Sequence, residues 1–357
     1  MTKKAIAIFA MSTLMFGCRP DATEETADIV IGAVLPLTGQ YADNGNSIKA
    51  GLELAIEDLN ARAVDYRYAL FCYDTHSEVR NATIGFNRLN DFHSIDLFVT
   101  TMSDNSMALK PLAVQKKKFL FCIASHTGVT DKSDGYVYRA ANTGADESRR
   151  IIRCLKDEHP EKNMFLYTFN TDAGLDIART FEENLGGKMI GKCVYDDNRT
   201  VLKSITTKDS YKNADCIAVI GFSPYMGSII KSLRESGFVG TIFSNIGFNS
   251  SSIIAASGEA AKSVRFVDYA FPYGTEDERE KNARSQKLAG VSFSAMSYLA
   301  YENLFAIDHI LGAKSVKDAH RAKKLLLKEA SYDVNGIGFD TKSDGSLTVN
   351  LVMRSLE

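Results

Sequence analysis

Tryptophan is absent from the 357 residues, and charges of the two signs nearly balance, 42 Lys and Arg against 44 Asp and Glu. With a net charge of −2, nothing marks a nucleic-acid footprint. The densest basic spot, Lys116-Lys117-Lys118, closes an amphipathic segment and reads as a solvated helix end. Six histidines, at 76, 93, 126, 159, 309 and 320, show no metal-ligand spacing. There is no Walker loop and no Gly-x-Gly-x-x-Gly, so nucleotide binding lacks support, and no cofactor is expected. Enzyme motifs fail as well. Ser103-Asp104-Asn105 matches one element of the serine β-lactamases, but the Ser-x-x-Lys that should precede it comes only later, at Ser228 to Lys231, and Lys-Thr-Gly is missing. Gly221-Phe222-Ser223-Pro224-Tyr225 is not a nucleophile elbow, because position 225 is not glycine. The expectation is a protein that is not an enzyme.

What is present begins at the N-terminus. Lys3 and Lys4 precede an uncharged stretch from Ala5 to Phe16, followed by Gly17-Cys18. A basic start, a short apolar run and a small residue before the cut describe a secretory signal. The run is well short of the ~20 residues that a spanning helix needs. Leu14-Met15-Phe16-Gly17-Cys18 resembles the bacterial lipoprotein signal, which implies acylation of Cys18; the alternative is a plain signal peptide with an incidental cysteine. Residues 1–18 are therefore expected to be signal and lipobox, and the polar, acidic residues 19–28 a flexible tether. Localisation follows: the periplasmic or extracellular face, touching the membrane only through the lipid. Five further cysteines, at 72, 122, 154, 193 and 216, have no Cys-x-x-Cys spacing, and their odd number leaves at least one thiol free.

The chain is too long for one comfortable core, so two domains are expected. Ile29 to Leu35 is a continuous apolar run, as in a strand buried on both faces. Ser47 to Ala61 follows with Ile48, Leu52, Ala55 and Leu59 on one helical stripe. Strands at Tyr68 to Tyr73, Asp96 to Thr100 and Phe119 to Ile123 then alternate with helices at Glu78 to Phe92 and Asn105 to Gln115. A second series of the same kind runs from Met164 to Ser244. Such alternation predicts an α/β fold with two doubly wound parallel-sheet lobes. The tail differs: helices over Ser294 to Leu311 and Ser315 to Ala330, then extended segments around Asp344-Gly345.

Ile29-Val30-Ile31-Gly32-Ala33-Val34-Leu35-Pro36-Leu37-Thr38-Gly39-Gln40-Tyr41-Ala42, with Gly45 and Ala50-Gly51-Leu52-Glu53-Leu54-Ala55, strongly resembles the first βα unit of type I periplasmic binding proteins, most of all the leucine/isoleucine/valine-binding branch. Tyr136-Val137-Tyr138-Arg139, Ala300-Tyr301-Glu302 and Gly336-Ile337-Gly338-Phe339-Asp340 follow in the family's order. The resemblance implies two lobes joined by three crossover strands, near 139–142, 269–272 and 334–336. It divides the chain into a first lobe of residues 28–141 and 273–335 and a second of 142–272 and 336–357. It also implies a function: capture of an amino acid or related small polar molecule and delivery to the permease of an ABC transporter. A ligand-sensing receptor component and a ligand-free envelope scaffold are the alternatives.

Open parallel sheets bind ligands at the carboxyl ends of their strands. The family's carboxylate-binding positions fall on Ser103, Ala124 and Ser125, where hydroxyls and free N–H groups at a helix start favour an anion. Ser103 is equally a plain N-cap, and Ser125 equally a loop residue satisfying its own backbone. The family's second-lobe tyrosine is replaced by Ala173-Gly174, with Asp172 just before, and its acidic anchor for an ammonium falls near Asn245-Ile246, where there is no carboxylate. Asp104 either caps its helix facing away or opposes a ligand carboxylate, turning preference toward a neutral ligand or an amine. Tyr41, Phe222, Tyr225 and Phe248 are candidates to enclose an apolar group or to belong to a lobe core. His126 stands in a predicted cleft loop, as ligand contact or exposed residue.

Overall fold

The computed structural model describes residues 27–62, 67–196, 201–311, 324–325, 328 and 331–356. Cys18, the expected signal and nearly all of the expected tether lie outside the described residues, as does almost all of the helix expected over 315–330.

The first sheet joins β1 (Ile29–Leu35), β2 (Tyr68–Asp74), β3 (Leu97–Thr101), β4 (Phe119–Ile123) and β5 (Val137–Arg139) in the order β2-β1-β3-β4-β5, all parallel. All seven residues of β1 are buried. Ile29, Ile31, Ala33 and Leu35 join one core cluster, while Val30 and Val34 join another on the opposite face. Two covered faces explain why the run is continuously apolar instead of alternating. α1 (Ala42–Arg62) buries the stripe of Ile48, Leu52, Ala55 and Leu59 in the first cluster. α2 (Val79–Phe92) and α3 (Ser103–Lys116) cover the other face through Phe86, Leu89, Leu109 and Ala113.

α4 (Gly144–Glu158) opens the second lobe and has no counterpart among the expected elements. The second sheet comprises β6 (Met164–Phe169), β7 (Met189–Tyr195), β8 (Cys216–Val219), β9 (Thr241–Ser244), β10 (Val264–Tyr269) and β14 (Leu351–Ser355), in the order β14-β10-β9-β8-β6-β7. Only β14 runs antiparallel. α4 and α5 (Asp172–Leu185) cover one face; α7 (Pro224–Glu235) and α8 (Ser251–Ser257), which follow the single-turn α6 (Leu202–Ile205), cover the other. The two doubly wound lobes are as expected.

After β10 the chain returns to the first lobe. α9 (Glu276–Ala289) and α10 (Ala295–Leu311) pack on α1. Gly51 makes this approach possible, since a Cβ there would stand 2.2 Å from the Ser297 carbonyl oxygen. The third crossing is not at 334–336. Asn335 (φ 53°) and Gly336 (φ 78°) form a two-residue hairpin turn between β11 (Ser331–Val334) and β12 (Ile337–Thr341). Positive φ at both positions is what an Asn-Gly hairpin supplies, so the chain reverses in place instead of crossing. Ile337 and Phe339 of β12 and Leu347 and Val349 of β13 (Leu347–Val349) lie in the first core cluster, beside β1. The chain reaches the second sheet only at Leu351, so Asn350 makes the crossing. There the three connections are tied together: Ala270 N donates to Asn350 O at 2.9 Å, and Val349 N to Asn142 Oδ1 at 3.1 Å.

Cys122, Cys154, Cys193 and Cys216 are free thiols. Burial pushes the Cys122 thiol up to about 12, which suits a small core residue and not a reactive group.

A candidate ligand cleft between the lobes

The carboxyl ends of β1, β3 and β4 face those of β6, β8 and β9 across a cavity of about 120 Å³. The first lobe supplies Tyr41 and Asn44 from the loop and helix after β1, Ser103, Asp104 and Asn105 from the start of α3, and Ala124 and Ser125 after β4. The second lobe supplies Glu147, Phe169, Thr171, Ala173, Phe222, Ile246 and Tyr269. Met296 enters from α10. Of the expected site residues, Tyr41, Ser103, Asp104, Ala124, Ser125 and Phe222 thus line one cavity.

The walls are set by local geometry. Met102, immediately before α3, holds φ at 69°, an uncommon value for a side-chain-bearing residue, and so turns Ser103 and Asp104 toward the cleft. Ser103 Oγ accepts from the His126 backbone N–H at 3.2 Å, joining the α3 start to the loop after β4. The Ser125 carbonyl accepts from Gly144 N at 2.9 Å, linking that loop to the start of α4. Phe222 stands edge-on to Phe169, ring centres 5.7 Å apart, so both aromatic rings form one wall.

Four expected residues do not line the cavity. Phe248 is fully buried against Phe266 in the second-lobe core; it sits on the turn after β9 and packs into the cluster that α7 and α8 cover. Tyr225 packs beside Tyr195 at the edge of the same core. His126 is spent on structure: Nδ1 accepts from Gly128 N at 3.1 Å, and Nε2 lies 3.4 Å from Asp176 Oδ2 of α5. Asp172 is exposed on the first turn of α5, yet its charge acts across the cleft. Loss of water and the negative charge of Asp172 raise the Asp104 carboxyl above its usual range, and His126 opposes them.

The residue not anticipated is Glu147. It is only 4% exposed, lines the cavity, and accepts the Ile246 backbone N–H on Oε2 at 3.1 Å. A carboxylate therefore occupies the neighbourhood of Asn245-Ile246 after all, delivered by α4 and not by the loop itself. Burial drives this carboxyl up to about 8, against the Ile246 N–H, which favours the charged form. The sequence did hold a signal for it. Thr143 and Asp146 form a capping box: Thr143 Oγ1 accepts from Asp146 N at 3.1 Å, and Asp146 Oδ2 from Thr143 N at 2.9 Å. Reading that start places Glu147, Ile151 and Leu155 at i, i+4 and i+8 on one buried stripe.

The lobes also meet at the rim. Asp43, in the first turn of α1, accepts from Ser252 Oγ at 3.0 Å, Ser252 N at 3.3 Å and Ser251 Oγ at 3.4 Å, and also bonds Ser250 Oγ. Thr127 Oγ1 donates to Asp176 Oδ2 at 3.2 Å on another part of the rim. The two lobes are thus in contact around the cavity.

Two sheets of this order with an interlobe cavity at their strand ends define a two-lobed binding protein. A periplasmic binding protein family profile matches residues 28–350. The chain belongs to that family, and its similarity runs to the leucine/isoleucine/valine-binding branch. It is 20% identical over 332 residues to "Leu/Ile/Val-binding protein homolog 2" of Brucella abortus (strain 2308), covering 90% of this chain and 89% of that one. It is 24% identical over 369 residues to homolog 7 of Brucella suis biovar 1, covering 95% and 90%. Among solved structures it superposes on the branched-chain amino acid transporter substrate-binding protein LivJ of Streptococcus pneumoniae in complex with isoleucine, with a TM-score of 0.80, 20% identity, and 92% and 96% of the two chains covered. A solute-binding protein of an ABC transporter from Rhodopseudomonas palustris BisB5, in complex with 3,4-dihydroxybenzoic acid, superposes with a TM-score of 0.78, 18% identity, and 92% and 93% covered. The family consists of solute-binding proteins rather than enzymes, and it works in the periplasm or outside the cell.

Proposed function

We propose that this chain is the lipid-anchored, extracytoplasmic solute-binding component of an ABC transporter, taking up an amino acid or related small polar molecule by closure of its two lobes. The observation that carries this reading is the cavity walled by both lobes at their strand ends. A ligand held there gains contacts from both sides only when the lobes are together, so binding shifts the population toward the closed form. A permease in the membrane then reads that form. Tyr41, Ser103, Ala124, Ser125 and Phe222 are the proposed contacts, with Asp104 at the mouth. An interlobe cavity favours capture over a ligand-free scaffold, whose cleft its own side chains would fill. Cys18 carries the anchor in this scheme.

Thermal unfolding of the soluble form lacking residues 1–18, against amino acids, amides, amines and small organic acids, tests the reading. A ligand at 100 times its dissociation constant adds about 2.7 kcal/mol of stability, a plainly visible shift in Tm. Silence across the whole panel with folded protein refutes solute capture from these classes. Metabolic labelling with a fatty acid, lost in Cys18→Ala, tests the anchor.

A further inference from the structure

Two carboxylates line the interlobe cavity, Glu147 and Asp104, and among the described residues that line it none is Lys, Arg or His. A third, Asp172, acts on Asp104 from across the cleft. The Glu147 carboxylate lies out of water, with the Ile246 N–H as its donor at 3.1 Å. The ionisable groups acting on it are Asp146 of its own helix and Tyr269 of β10, and neither is positive. A buried carboxylate without a cation is unstable as an ion, and an arriving ammonium is the partner it lacks. The apolar part of the wall includes Val79, Ile123, Phe169, Phe222 and Met296, and the remaining polar lining, among it Ser103, Asn105 and Thr171, is uncharged.

Resting on the solute-binding reading above, we infer that the cleft selects an apolar body bearing a protonated amino group, held by the Glu147 carboxylate, and that it needs no carboxylate on the ligand. The amine docks against Glu147 at the base of α4, and the apolar body lies between Phe169 and Phe222 of one lobe and Ile123 of the other. A ligand carboxylate would enter a site already holding two acids and no base, so an anion is rejected and a zwitterion gains less than the plain amine. Glu147 is brought to its charged form when the amine arrives, so binding releases a proton wherever Glu147 was protonated beforehand.

Three probes of one shape separate the possibilities: 3-methylbutylamine, L-leucine and 4-methylpentanoate, titrated calorimetrically into wild type and Glu147→Gln at pH 6 and pH 8. The expected result is that the amine binds wild type at least tenfold more tightly than 4-methylpentanoate, with leucine between them. Glu147→Gln loses at least tenfold for the amine and nothing for 4-methylpentanoate. Wild-type affinity for the amine rises at least fivefold from pH 6 to pH 8, a readout that stands even if the variant fails to fold. Binding of 4-methylpentanoate or leucine as tightly as the amine, or an amine affinity indifferent to both Glu147 and pH, overturns the amine assignment and leaves solute capture intact. No binding of any probe, with the wider panel silent, overturns both.

Discussion

Asp43 joins the lobes by a contact that exists only when they are closed, and removing it should open the protein. Its carboxylate, on the first turn of α1, gathers the hydroxyls of Ser250, Ser251 and Ser252 and the Ser252 N–H from the start of α8. A hydrogen bond to a charged group contributes about 1.5–3 kcal/mol when sheltered. Asp43 is half-buried, so the set taken together is worth about 2 kcal/mol rather than the sum of its members. In Asp43→Ala the closed form loses that amount while the open form loses nothing, which weakens ligand affinity by about 30-fold when the empty protein rests open. Small-angle scattering of the ligand-free proteins separates the two cases: an empty wild type that rests open keeps its radius of gyration in the variant, whereas one that rests closed gains a larger radius in place of the affinity loss. The midpoint of thermal unfolding without ligand should change little, because neither lobe core includes the contact. Unchanged affinity together with an unchanged scattering profile would refute the latch.

Two further substitutions test the packing and the buried acid. In Gly51→Ala the new Cβ meets the Ser297 carbonyl oxygen at 2.2 Å, so α1 and α10 must separate; a loss of about 1–3 kcal/mol in chemical denaturation is expected, with ligand contacts preserved. Glu147 has a folded-state value of about 8, raised by burial above the 4.5 of a free glutamate, so the folded protein holds its proton more tightly than the unfolded chain. Its stabilising effect is therefore complete below about pH 4.5 and is lost as pH rises through 8, a change on the order of a few kcal/mol. Glu302 and Asp268, each raised by burial to about 7, act in the same direction, so the measure is the difference between proteins. Glu147→Gln should raise the ligand-free Tm at pH 8 relative to pH 5 compared with wild type; parallel curves for the two proteins would remove Glu147 from the pH dependence.

Much of this molecule is determined along the chain. The apolar run of β1 needs both faces covered, and it receives them because α1 and α2 follow with their own stripes; local pattern and tertiary outcome agree. The loops that wall the cleft follow from strand direction, and six of the ten site residues expected from the sequence stand there. The Asn335-Gly336 pair is also local chemistry, a hairpin turn that outweighs the crossing implied by resemblance.

Tertiary structure decided what depends on residues far apart in sequence. Phe248 and Phe222 both follow second-lobe strands, yet one faces the core and the other the cleft, because backbone path and not residue type sets the direction of a loop side chain. The acidic group opposite the first lobe could not be located by inspecting Asn245-Ile246, since a helix 99 residues earlier brings Glu147 to that backbone. The same holds for the crossing at Asn350 and for the Asp43 latch, 207 residues from Ser250. Periodicity reports which face of an element is buried; only the packed chain determines which distant group shares that burial and meets its charge.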